Sequence, residues 1–182
     1  MSGNPQPAAQ KEPYIEPWMR GTHTEVPAAG RAVLHALELS HDDIHRWTRS
    51  LTDAEVNSQP LALPSIAFHL RHIARSVDRI LTYAEGNQLS AEQLAALKSE
   101  QAADAQPLSA LLTELEASFQ NAFARIRALA VEDLNIPRGV GRKQLPTSLG
   151  GALIHVADHT QRHTGQIVTT SKVLLAQRPP VS

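Results

Sequence analysis

The chain contains no cysteine. That excludes disulfides and thiolate metal ligands, and any nucleophilic thiol must arrive with a substrate or cofactor. Aromatic residues make up only 4% of the 182 positions, while alanine and leucine abound, a balance that favours helix over sheet. An excess of either charge is also missing. A formal net charge of −1 gives no electrostatic footprint for nucleic acid or for an anionic membrane. No stretch approaches the roughly 18 consecutive apolar residues of a membrane span. The first thirteen residues lack an apolar core of signal-peptide type, so a cytoplasmic protein is expected. There are no internal repeats, and the length suits one domain with a real core.

What the chain has in quantity is amphipathic helix. Residues 1–13, rich in proline, glutamine and alanine, read as a disordered tail. Residues 14–177 read as the domain, and 178–182, opening on Arg178-Pro-Pro, as a short C-terminal tail. Segment 14–21 carries Tyr14, Trp18 and Met19 and is expected to pack onto the body. Pro27 opens a helix reaching about Leu51, with Val33, Leu37, Ile44 and Trp47 among its apolar positions. Residues 57–64 form a loop with two prolines. Ser65 caps a second helix that ends at Gly86. Ser90, with Gln93 three residues on, begins a short helix reaching about Glu100. Pro107 starts a long helix whose stripe of Leu111, Leu115, Phe119, Phe123, Ile126 and Leu129 is core. Residues 132–145 hold Pro137, Gly139 and Gly141 and form a turn or loose hairpin. Thr147 then caps a last helix running to about Gln177. The expected fold is all-α: a four-helix bundle with a short extra helix in the middle connection.

Nine histidines carry the chemical interest. His155, His159 and His163 are spaced by four on the last helix, and residues four apart differ by about 40° in direction and about 6 Å in rise. Two imidazoles so placed can point at one ion. At about 100° per residue, Leu149, Ala152, Val156, His163, Ile167 and Thr170 form one stripe, with His159 inside it and His155 on its edge. Imidazoles facing an apolar interior need a partner, and a divalent metal satisfies both. His41 and His45 share the spacing, but Asp42 and Asp43 between them suggest a solvated face. A third ligand is wanted, because catalytic sites of this kind use three protein ligands and leave a position open. The second helix offers His69 and His72. Phase alone favours His69, on the stripe of Ile66, Ile73 and Val77, over His72 on its flank.

Phe-His-Leu-Arg-His-Ile-Ala-Arg-Ser at 68–76, paired with His-Val-Ala-Asp-His-Thr-Gln-Arg-His-Thr-Gly-Gln at 155–166, resembles the DinB/YfiT-like superfamily of metalloenzymes over about residues 25–176. The resemblance implies a four-helix bundle of up-down-down-up topology. It also implies a metal site of one histidine from the second helix and two from the last: His72, which is followed by Ile73, Ala74 and Ser76, with His159 and His163. Against the phase argument, it leaves His69 as the fallback. It implies a rim or outer role for His155. Gly165 is expected to permit close helix packing, and Gln166 to hydrogen-bond a loop. Three neutral imidazoles leave a divalent charge uncompensated, which favours an anionic fourth ligand. Characterised relatives include transferases that use bacillithiol or mycothiol. The resemblance therefore implies a metal-dependent transfer of a low-molecular-weight thiol to a small electrophile, and a homodimer is expected. Two alternatives stand beside it, a hydrolase using bound hydroxide and a non-enzymatic bundle with a structural or vestigial metal. Zinc or nickel suits the donor set best, with iron, cobalt or manganese also compatible. No residue of either motif is an evident general base, and Asp158 points away from the ligand stripe.

Overall fold

The structure, a computed structural model, describes residues 13–100 and 104–179. Except for Pro13, the expected N-terminal tail lies outside the described residues, as do positions 180–182 of the C-terminal one. The chain is mostly helical. In order come α1 (Ala28–Thr48), α2 (Asp53–Asn57), α3 (Ile66–Ala84), α4 (Ala91–Ser99), α5 (Leu108–Leu129), a hairpin of β1 (Pro137–Val140) and β2 (Leu145–Ser148), and α6 (Leu149–Ala176). Helix α6 lies against α1 and α3, α3 also packs on α5, and α1 meets α5 less extensively.

The apolar stripes make this packing. Val33, Leu37 and Ile44 of α1, Ile66, Leu70, Ile73 and Leu81 of α3, Leu115 and Ile126 of α5, and Leu149, Val156 and Ile167 of α6 are fully buried. Each such side chain contributes about 1.5–3 kcal/mol. Caps fix where the helices begin. Ser65 Oγ accepts from the Phe68 amide at 3.1 Å. Ser90 and Gln93 close a reciprocal box at the start of α4, with bonds of 3.2 and 2.9 Å.

Two local expectations are corrected, the end of the first helix and the cap of the last, and two are given their detail. Helix α1 ends at Thr48, because Thr52 and Glu55 form a second capping box that starts the unforeseen α2. The loose hairpin is a regular antiparallel ladder running from Pro137 opposite Ser148 to Val140 opposite Leu145. Thr147 sits in that ladder opposite Arg138, so the cap of α6 is Ser148, whose Oγ accepts from the Gly151 amide at 3.0 Å. Segment 14–21 is held to α1 by polar contacts: Tyr14 Oη donates to Asp42 at 2.9 Å and Arg20 to the same oxygen at 2.6 Å. Trp18 and Met19 stay exposed. No described helix is long and apolar enough to cross a membrane.

Candidate metal centre

Where α3 crosses α6, four histidines meet. His72 comes from the flank of α3, and His159 and His163 from successive turns of α6. One nitrogen from each of the three lies within 4.8 Å of the others. The ring centroid of His163 is 4.5 Å from that of His72 and 4.7 Å from that of His159. His69, one turn before His72, is buried and brings its Nδ1 to 3.1 Å from Nδ1 of His163. The phase argument and the family resemblance therefore point to two parts of one cluster. His155 stands apart on the exposed side, paired with Asp158 at 2.8 Å, with its ring 5.3 Å from that of His159. Gln166 lines a cavity with Leu63, Pro64, His69 and Gly165. A Cβ added at Gly165 would meet nothing within 4 Å, so close helix packing is not its reason.

The outer nitrogens set the tautomers. Nδ1 of His72 donates to Oε2 of Glu100 at 3.1 Å, which leaves Nε2 with a lone pair. Ser76 Oγ gives its proton to the Ile73 carbonyl at 3.2 Å. It therefore accepts from Nδ1 of His159 at 3.3 Å, leaving a second lone pair on Nε2. These two Nε2 atoms face each other at 3.3 Å. Two lone pairs at that distance repel unless a cation or a proton lies between them. The separation also matches the edge of a tetrahedron of nitrogens about 2.0–2.1 Å from zinc, which is roughly 3.3 Å. Nδ1 of His163 is engaged with His69, so Nε2 is the nitrogen it has left to offer. The residues present fit a divalent ion.

Three of the four histidines are held toward the neutral form, the form in which an imidazole binds metal. Burial, followed by the proximity of His163 and His72, pushes both His69 and His159 down to about 4. Burial and His72 also lower His163, with Gln166 acting in the opposite sense. Glu100 is the residue the sequence did not reveal. It caps the C-terminus of α4, is 3% exposed, and takes both Arg79 guanidinium nitrogens at 3.2 Å as well as His72. Burial alone would raise its carboxyl, but the hydrogen bonds from His72 and Arg79 outweigh that and hold it below the usual carboxylate range. The result is a carboxylate–imidazole relay of the kind that orients metal ligands. Beside it, a cavity of about 470 Å³ is lined by Asn57, Ser65, Phe68, Arg71 and Glu100. The Phe68 ring stacks on His72 at 5.5 Å.

The family model of the DinB superfamily matches residues 36–167, a span that holds α3, both histidine motifs and Glu100. The chain belongs to the DinB superfamily. No curated protein matches the chain. Segment 14–21 lies outside the DinB match, so its attachment to α1 is known from the structure alone. Within the match, Ser76 and Glu100 supply the hydrogen bonds that aim the His72 and His159 lone pairs inward.

Proposed function

We propose that the protein is a divalent-metal-dependent enzyme that transfers a low-molecular-weight thiol, of bacillithiol or mycothiol type, to a small electrophile. His72, His159 and His163 would hold the ion, on a four-helix bundle of up-down-down-up course. The observation that carries the metal centre is the pair of lone pairs on His72 and His159 Nε2, aimed at each other across 3.3 Å. When bound, the ion supplies a Lewis acid that lowers the pKa of a coordinated thiol or water. The chain's own residues do the rest. Glu100 and Ser76 fix two imidazoles, and Nδ1 of His69 engages Nδ1 of His163 at 3.1 Å, which leaves Nε2 of His163 for the ion. The cavity on the Glu100 side and the smaller one beside His69, about 230 Å³, are of a size to take parts of a small molecule. The net step would form a carbon–sulfur bond between the thiol sulfur and the electrophilic carbon, break the bond from that carbon to the leaving group, which takes the electron pair, and release the thiol proton to solvent.

The absence of cysteine from the chain supports an external thiol. The hydrolase alternative wants a free carboxylate as base, and Glu100 is committed to Arg79 and His72. Small-molecule substrates and a homodimer belong to the same proposal. Metal content of tag-free protein tests the centre. About one ion per chain at this site, lost in His163→Ala and kept in His69→Ala, is the expected result. Metal-loaded protein that conjugates no bacterial thiol to any of a panel of electrophiles would defeat the transferase reading while leaving the centre standing.

A further inference from the structure

Two more groups of histidine and carboxylate lie on the α1 side of the molecule. In the first, His23, His35 and Glu38, Arg127 approaches Nδ1 of His23 at 3.2 Å. A guanidinium can only donate, so Nε2 of His23 carries the ring proton and gives it to Glu38 at 2.7 Å. His23 therefore offers no lone pair to an ion without displacing Arg127, although Oε2 of Glu38 is buried with no hydrogen-bond partner among the described residues.

The second group is different. His41 and His45 stand one turn apart on α1, with ring centroids 4.4 Å apart. Both direct Nε2 at the same atom, Oε1 of Glu116 on α5, each at 2.9 Å. We propose that His41, His45 and Glu116 form a second divalent-metal site, of zinc type, that ties α1 to α5 and leaves one coordination position to water. The donor set of two imidazoles and one carboxylate, with the histidines at i and i+4, suits zinc with an open position. Bond lengths of about 2.0–2.2 Å to zinc give donor separations of roughly 3.3 Å, so the observed 2.9 Å contacts need open by only a few tenths of an ångström. The side chains are free to do this, being 38%, 40% and 40% exposed. Unlike His23, His41 has no cation on its outer nitrogen. Without an ion each Nε2, 2.9 Å from a carboxylate oxygen, carries a ring proton. Metal would displace it, and Oδ1 of Asp42, 3.7 Å from Nδ1 of His41, is placed to receive the other tautomer's proton. Arg20 is compensated by Asp42 at 2.6 Å and Arg46 by Asp43 at 3.5 Å, while Arg49 also lines the concavity. Tyr14, His41, Asp42, His45 and Arg46 line the concavity over the site, so the 14–21 segment would form one wall of it. The site shares no residue with the centre between α3 and α6.

The test uses tag-free protein of full length, with zinc as probe. The variant His159→Ala/His163→Ala, which lacks the first centre, should take up about one zinc per chain in equilibrium dialysis. Adding His41→Ala/His45→Ala should abolish that uptake, and adding Glu116→Gln should weaken it at least tenfold. Zinc should also raise the melting temperature of the first variant and leave the quadruple variant unmoved, because the ion bridges two helices. Cobalt(II) in place of zinc should give the strong visible absorption of a tetrahedral site. In wild-type protein, stoichiometry near two should fall to near one in His41→Ala/His45→Ala, which keeps the test valid if the first variant folds poorly. Equal zinc uptake with and without His41 and His45 would overturn the proposal. So would zinc that binds without any shift in melting temperature, since the three residues would then be only a hydrogen-bonded surface group.

Discussion

At the scale of single residues, the candidate centre depends as much on what holds the imidazoles as on the imidazoles themselves. Glu100→Gln keeps the shape of the side chain but removes the charge that both His72 and Arg79 rely on. Metal affinity should fall tenfold to a hundredfold, measured by competition with a chelator. Stability should drop by about 3 kcal/mol, because Arg79 stays buried opposite a neutral amide, and urea unfolding reads that loss. An affinity unchanged by the substitution would remove Glu100 from the site. The histidines were legible in sequence because helical spacing is a local property. Phase ranked His69 above His72, and His69 is the more buried of the two, but phase does not tell which side chain on a helix flank meets a neighbouring helix. Glu100 was not legible for another reason. It lies 28 residues from His72 and reaches it only through tertiary packing. Its one local signal was Arg79, two turns beyond His72 on the same face, which when buried requires an anion.

At the scale of elements, helix beginnings were readable and helix ends less so. Ser65 and Ser90 cap where their side chains predict. The same signature at Thr52-Asp-Ala-Glu55 is masked in the sequence by the amphipathic period of the helix before it. Choosing between Thr147 and Ser148 required knowing that β2 pairs with β1, a contact that a capping rule does not contain. Thr52→Ala should cost about 1 kcal/mol, seen as a lower urea midpoint with an unchanged slope. Gly165 gives the opposite sign. It sits inside α6 with nothing near the position a Cβ would take, so Gly165→Ala should stabilise by about 0.5–1 kcal/mol. The same methyl group would narrow the cavity beside His69. A stabilised variant with weakened substrate binding would show that the glycine is kept for the space it leaves. A stabilised variant with unaltered binding would show that the space is not used.

At the scale of the whole molecule, the four long stripes were legible because each helix buries one face, and alternation at helical period survives any arrangement of the helices. How the ends are tied together was not, since those contacts join residues far apart in the chain. The Arg178 pair is the clearest case. Beyond the C-terminus of α6, Arg178 grips Glu55 of α2 at 2.7 Å through both Nε and Nη2, across 123 positions of sequence, and donates also to the Ser50 carbonyl at 2.6 Å. Hydrogen bonds from Arg178 and then from the Thr52 backbone push the Glu55 carboxyl down to about 2. A carboxyl lower in the folded than in the unfolded state adds stability that is fully present above the unfolded value, about 4.3. That stability is lost as the pH falls through the folded value. Wild-type protein should therefore melt higher than Arg178→Gln at pH 6, and the gap should close between about pH 4.5 and 2. Solvent reaches both partners, so the difference should be small and should shrink in high salt. A gap that persists unchanged at pH 2 would place the contribution of Arg178 in its bond to the Ser50 carbonyl instead, and the end of α6 would then be held by the backbone and not by the ion pair.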